Sequence, residues 1–300
     1  MPELPDIEVY REGLRRRIVG ERLTRFRIIS PFVVRTYEPP IEAVDGKRVQ
    51  DIRRIGKRLV LALDEDLFLI LHLMIAGRLR WEPRQTRPPR KISLAAMHFP
   101  RGTLLLTEAS KKKRASIHLV RGQTALAAHD PGGIEPFEVD AATFHDRLVR
   151  ENHTVKRSLT DPRLFAGIGN AYSDEILHAA GLSPVKLTQR LTGEEIARLY
   201  RVTQSTLRQW TDVLLKEFGE RFPGPGEITA FRPDFAVHGR FGKPCPACGT
   251  KVQRIRYAEN ETNYCPRCQT EGRVLADRSL SRLLKEDWPR TIEELEGDAQ

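Results

Sequence analysis

The four cysteines of this chain fall as two pairs, Cys245 and Cys248 in "CPAC" and Cys265 and Cys268 in "CPRC", with sixteen residues between the pairs. Each C-x-x-C is a short knuckle that sets two thiolates on one ion. The stretch between them has the length of a β-hairpin that folds one pair onto the other. The spacing predicts one structural Zn2+ held by all four sulfurs. Four thiolates fill a tetrahedral shell, so the ion holds a fold and takes no part in chemistry. Two disulfides would suit a secreted chain instead, and the start of this one lacks a basic segment followed by an apolar stretch.

Three hundred residues exceed one typical core, so two domains with a small appendage are expected. Fifty Lys and Arg against 40 Asp and Glu leave a formal charge of +10. A surface of that sign attracts polyanions, of which nucleic acid is the commonest. No apolar run approaches the roughly 18 to 20 residues that span a bilayer, so no membrane partner is expected. The expected location is cytoplasmic, with nucleoid association if the polyanion is DNA. Nothing demands an oligomer, and a monomer is expected.

The hydrophobic period changes along the chain. Asp6 to Val19 reads as a helix, with Ile7, Tyr10, Leu14 and Ile18 on one face and Arg15, Arg16 and Arg17 near its end, where cations suit the dipole. "RLVLALDEDLFLILHL" is two apolar strands around an acidic turn, and "ISLAAMHF" and "TLLLTE" make another pair. Residues 1–125 thus form one helix added to an antiparallel β domain, and 126–140, with "AHDPGGIEPFEVD", form a linker. A helical period follows from Ala141 to about Glu217, then a Gly- and Pro-rich loop, which together define a domain over 141–235. The zinc hairpin spans 236–276, and 277–300 holds a short helix, "LADRSLSRLLKEDW" from just before that boundary, and a frayed acidic tail.

The chain opens "MPELPDIE". If Met1 is removed, the nitrogen of Pro2 becomes a secondary amine able to attack a carbonyl carbon. The plainer reading is that Pro2 and Pro5 merely precede a helix.

With these pieces in order, the chain resembles the formamidopyrimidine-DNA glycosylase and endonuclease VIII family of bacterial base-excision repair enzymes. The resemblance rests on "MPELPDIE", Gly56-Lys57, "HL" at His72, "GIGNAYSDEILHAAGLSP" from Gly167, "VHGRFGKPCPACG" from Val237 and "YCPRCQ", in that order over nearly the whole length. It implies an α+β protein of two lobes. One is an N-terminal antiparallel β-sandwich carrying the first helix; the other is a helical helix-two-turn-helix domain with a zinc β-hairpin. It also implies a bifunctional enzyme, a DNA glycosylase with abasic-site lyase activity, acting on double-stranded damaged DNA through a Schiff base at the N-terminal proline.

By the same resemblance Pro2 is the nucleophile, Glu3 moves protons at the sugar ring oxygen, and Lys57 reaches a phosphate beside the lesion. His72, Lys156 and Asn170 are expected to contact DNA, as are Asn260 on the hairpin and the run Lys111, Lys112, Lys113 and Arg114. Asp6 stands where relatives usually carry glutamate. Three departures bear on the substrate. Asn260 replaces an arginine that clamps phosphates, and an amide has no charged fork. In the wedge, "HLMIAG" replaces "HLGMSG", so Ile75 takes the methionine position and Met74 the glycine; "EASKKKRAS" replaces a loop with an intercalating arginine and phenylalanine. The loop "GERFPGPGE" has no close match to the segment that closes over an oxidised purine. Oxidised purines, oxidised pyrimidines and abasic sites all fit, as do one or two eliminations. A damaged-DNA binding protein of the same fold that does not excise, or that keeps only the lyase activity, is the alternative these departures raise; a zinc-ribbon RNA-binding or ribosome-associated protein would leave Pro2-Glu3 and "GIGN" unexplained.

Overall fold

The computed structural model describes residues 1–83, 88–89, 91–257, 260–276 and 289–297. The chain forms two compact units, Met1–Gly132 with Arg208–Ala230, and Gly133–Leu207 with Phe231–Gln300. The elements are α+β in composition, as the sequence predicts.

In the first unit, helix α1 (Leu4–Ile18) buries Ile7, Tyr10, Leu14 and Ile18 and carries Arg15, Arg16 and Arg17 in its last turn. Two four-stranded antiparallel sheets follow. Strands β1 (Arg25–Ile28), β6 (Ser93–Phe99), β7 (Gly102–Glu108) and β5 (Gly77–Glu82) make one, in the order β1-β6-β7-β5. Strands β2 (Val49–Ile55), β3 (Arg58–Leu63), β4 (Leu67–His72) and β8 (Ser116–Arg121) make the other, in the order β2-β3-β4-β8. The near-continuous apolar runs of β3 and β4 have a reason on each face. Leu59, Leu61, Leu69 and Leu71 enter the main core, while Val60, Ala62, Phe68 and Ile70 form a second cluster capped by Leu126 of the short helix α2 (Gln123–Ala127). The acidic turn between them places Glu65 and Asp66 at positive φ.

The register gathers four connections at one end of these sheets. Arg58 pairs with His72 and His72 with Ser116, while Gly77 pairs with Glu108. The β2–β3 turn at Gly56-Lys57, the turn 73–76 from β4 to β5, and the loop 109–115 from β7 to β8 therefore lie together, and the segment leaving β1 arrives at the same end, where Ile29 N–H bonds Leu94.

The second unit contains α3 (Ala141–Val149), whose first turn is capped by Asp140 accepting from Thr143 N–H at 2.8 Å, then α4 (Val155–Thr160) and α5 (Asn170–Ala179). Helix α6 (Gly193–Phe218) follows, then the hairpin of β9 (Gln253–Tyr257) and β10 (Asn260–Tyr264), α7 (Pro266–Thr270) and a last helical stretch at Ile292–Gly297. The last of these departs from the frayed tail expected there: Thr291 Oγ1 accepts from Glu294 N–H at 3.3 Å, an N-cap bond. Most of the expected helix "LADRSLSRLLKEDW", from residue 277, lies outside the described residues.

The division also differs from the expected one. Residues 133–140 join the helical unit, where Ile134 bridges Phe165, and 208–230 belong with the sheets, where Leu214, Phe218 and Ile228 enter the first core. Helix α6 is thus continuous across the division. Among the described residues no helix is long and apolar enough to cross a membrane.

Candidate functional site

The start of α1 is built around two carboxylates. Glu3 is the N-cap, only 3% exposed, and its N–H donates to Asp6 Oδ2 at 2.9 Å. Asp6 is therefore a support: its short side chain closes the first helical turn and fixes Glu3. Pro2 is buried beside it, with Met1 still attached. The α-amine of Met1 is held below its ordinary value of 8.0, first by burial; Arg78 and Lys57 push the same way, against Glu3 and Asp6. Chain end, carboxylate and two cations thus share one neighbourhood.

Lys57 reaches it because of the turn it sits in. Gly56 takes φ +55, so Ile55–Arg58 closes β2 onto β3 in two residues. Arg54 holds that turn to the helix, bonding Glu8 of α1 at 2.8 Å through Nε and the Gly56 carbonyl at 2.8 Å through Nη1. With side chains 9% and 12% exposed, the Arg54–Glu8 pair is a buried strut, which the sequence reading did not single out. Burial lowers the Lys57 pKa and Glu3 pulls it back. His72, at the end of β4, is held down to about 4, first by burial and then by Arg58, Lys57 and His118. It is a neutral imidazole at physiological pH, able to hydrogen-bond an anion without adding charge.

The wedge turn follows His72. Leu73 is buried, Met74 takes φ +53, and Ile75 stands 51% exposed at the tip. Gly77 N–H closes the turn on the Leu73 carbonyl at 2.9 Å, and a Cβ at Gly77 would lie 2.2 Å from that oxygen, so no other residue fits. The neighbouring basic loop hangs from Glu108, which is 1% exposed: its carboxylate accepts from Arg114 N–H at 2.9 Å and Ala115 N–H at 3.1 Å. Its carbonyl receives the Lys113 ammonium. Lys111 and Lys112 remain exposed, while Lys113 is partly spent on its own loop.

In the second unit, Asn170 opens α5 behind Gly169, and Gly167 takes φ +80, a backbone state that glycine adopts without strain. Lys156 is 9% exposed, and its ammonium meets the Asp174 carboxylate, the Glu261 carbonyl at 3.2 Å and the Asn170 carbonyl at 3.4 Å. Three partners match its three protons. The geometry therefore differs from an open DNA-contacting lysine: Lys156 ties α4, the start of α5 and β10 together. Asp174 also accepts from His238 Nδ1 at 2.7 Å and Asn263 N–H at 3.1 Å. Next to it, Glu175 accepts from the N–H groups of Ala236, Val237 and His238 at 2.6, 2.9 and 2.8 Å. Burial raises the Glu175 pKa, against those three bonds. Both acids lie on a buried helix face, and that misfit of charge with an apolar face was the available sequence signal. Asn260 pairs with Tyr257 at the hairpin tip, and its side chain lies outside the described residues. Arg254 lies over Phe241 at 4.4 Å and near Glu261 at 3.5 Å.

The four cysteine sulfurs all lie within 4.8 Å of one another. Cys248 and Cys265 are 3.4 Å apart and Cys245 and Cys268 3.9 Å, too long for S–S bonds. Zn–S bonds of about 2.3 Å in a tetrahedron put sulfurs about 3.8 Å apart, so the donor set fits one structural zinc. His178 of α5 places Nε2 3.2 Å from the Cys245 sulfur, the kind of outer contact that orients a metal ligand.

Three family models match the chain in order: the formamidopyrimidine-DNA glycosylase N-terminal domain over residues 1–115, the H2TH domain of that enzyme over 129–213, and the zinc finger found in FPG and IleRS over 242–270. The formamidopyrimidine-DNA glycosylase of Desulfitobacterium hafniense is 34% identical over 275 residues, 90% of this chain and all of the relative. That of Thermus thermophilus is 34% identical over 280 residues, 91% of this chain and all of the relative. Among solved structures, the Lactococcus lactis Fpg bound to abasic-site DNA superposes with a TM-score of 0.78 at 28% identity, covering 89% of this chain and 99% of that one. Ordered matches to three models, full-length relatives and one shared arrangement of elements agree: this chain belongs to the formamidopyrimidine-DNA glycosylase family.

Proposed function

We propose that the chain is a base-excision repair DNA glycosylase with abasic-site lyase activity, acting on double-stranded damaged DNA as a monomer. The observation that carries this reading is the cluster at the start of α1, where the chain's amine, Glu3, Lys57 and Arg78 meet. After loss of Met1, the Pro2 nitrogen would attack the sugar C1′ as the C1′–base bond breaks, its electron pair leaving with the base and a proton supplied to it. Glu3 is placed to exchange a proton with the sugar ring oxygen as the ring opens. The resulting iminium acidifies C2′; loss of a C2′ proton then expels the 3′ phosphate. An α-amine of ordinary pKa is on the order of a tenth neutral at pH 7, enough for a nucleophile.

Lys57, His72, Lys111, Lys112, Lys113 and Arg114 occupy the same end of the sheets, and there they would hold the phosphates while Ile75 fills the stack. Asn170, at the N-terminus of α5, offers a neutral phosphate contact that fixes register without reading sequence. Lys156 supports that contact through the Asn170 carbonyl. Zinc, when bound, holds the hairpin and so the position of Asn260. A DNA substrate places the work inside the cell, and cytoplasmic, nucleoid-associated action is part of the proposal.

Solved relatives have been captured on abasic-site, Fapy-dG, carbocyclic 8-oxo-G and oxidised-pyrimidine DNA. For this chain a panel of single-lesion duplexes ranks the same classes. The second reading, a damage-binding protein that no longer excises, draws on Asn260 and the changed wedge. Excision kinetics separate the two, because the binding protein would shift every damaged duplex in a gel and release no base.

A further inference from the structure

Arg78 follows Gly77 on β5 and faces two segments that lack regular secondary structure. Its Nε donates to the Ile228 carbonyl at 2.8 Å, and its Nη1 to the carbonyls of Gly77 at 2.7 Å and Ile75 at 3.1 Å. Ile75 is the exposed tip of the wedge turn. Ile228 belongs to the Gly- and Pro-rich stretch after α6, and its buried side chain anchors that stretch in the first core. Each segment has its own anchor, the Gly77–Leu73 bond in one and buried Ile228 in the other, and the planar fork of one guanidinium bonds the two to each other. The same cation acts electrostatically on the α-amine of Met1, as do Glu3, Asp6 and Lys57.

We infer that Arg78 is a positioning residue: it locks the wedge turn and the 224–230 stretch into one geometry beside the nucleophile. The role rests on the lyase reading above for its purpose, but not for its structure. The fork fixes the turns, a role a lysine cannot take over because its ammonium is a point charge. A misplacement of about 1 Å near reacting atoms costs on the order of 100-fold in rate, so loosening the turns should be visible in turnover.

The test compares native protein with Arg78→Met, Arg78→Lys and Arg80→Met, the last a control whose guanidinium pairs with Glu82 on the same strand. Hydrogen exchange reads the lock without any DNA: Arg78→Met and Arg78→Lys should both deprotect 73–77 and 224–230 together, with Arg80→Met unchanged. Single-turnover borohydride trapping on abasic DNA should fall on the order of 10- to 100-fold in both Arg78 variants. Native exchange in 73–77 and 224–230 of Arg78→Met overturns the inference, as does Arg78→Lys behaving as native in exchange. A native protein that forms no adduct, yet shows coupled deprotection in its variants, fails the lyase reading and leaves the lock standing.

Discussion

Replacing Lys156 by methionine is the most informative single change in the second unit, because it separates a buried tie from a phosphate ligand. The Lys156 side chain is 11% exposed and its ammonium meets Asp174, whose side chain is fully buried. Methionine matches the stem but leaves the Asp174 carboxylate facing an apolar group, with His238 Nδ1 and Asn263 N–H as its remaining donors. Breaking one side of a buried pair costs about 3–5 kcal/mol; the two donors that remain on Asp174 place Lys156→Met near the lower end, about 3 kcal/mol. At about 2–4 °C per kcal/mol that is a fall of about 6–12 °C in Tm. Asp174→Asn should destabilise by a similar amount, and the double variant by clearly less than the sum, since the two changes remove one interaction. The assay is thermal unfolding of the zinc-loaded protein, with duplex affinity measured well below the lowest Tm. Additive effects, or a Lys156→Met protein of native Tm that has lost DNA affinity, would refute the buried-tie argument.

His72 and His118 are both held near 4, each first by burial. Unfolded, they titrate near 6.5, so the unfolded chain binds more protons between pH 6.5 and 4 and stability must fall as pH drops through that window. Denaturant midpoints at pH 7 and 5 measure the slope, which His72→Asn with His118→Asn should flatten. Met74 sits at φ +53, a state that costs an L-residue about 1–2 kcal/mol. Met74→Gly should therefore leave stability unchanged or raise it by up to about 1 kcal/mol, once the added entropy of unfolded glycine is set against the relief. Chelating the zinc should expose Arg254 and Arg256 of β9 to trypsin and weaken duplex binding, while the strand signal of the first unit in circular dichroism persists.

Much of this was legible before the structure, and the reasons are local. Helix α1 follows from Ile7, Tyr10, Leu14 and Ile18 at helical spacing, and β3, β4, β6 and β7 from unbroken apolar runs between turn residues. The hairpin follows from cysteine spacing alone. What escaped notice depends on contacts distant in sequence. The end of α6 keeps one helical period through a change of partner, so nothing in its pattern marks residue 208 as a boundary. Arg54 and Glu8 are 46 residues apart, and only β2 laid along α1 makes them a pair. Lys156 is expected from the resemblance to contact DNA, and its tie to Asp174 was not legible because that partner lies 18 residues on. Asp6, by contrast, is a local support only three residues from the Glu3 N–H it accepts from, in keeping with the supporting position its place beside Glu3 suggests.

The central claim is that the chain's own amine does the chemistry. Borohydride trapping on a duplex with one abasic site tests it most directly, using protein shown by mass to begin at Pro2, beside Pro2→Gly and Glu3→Gln. The account predicts a covalent adduct that maps to the N-terminal peptide and is lost when the terminus is extended by even one residue, with DNA affinity retained. Tight binding of the same duplex with no adduct from protein that begins at Pro2, or an adduct mapping to a lysine such as Lys57, would contradict it.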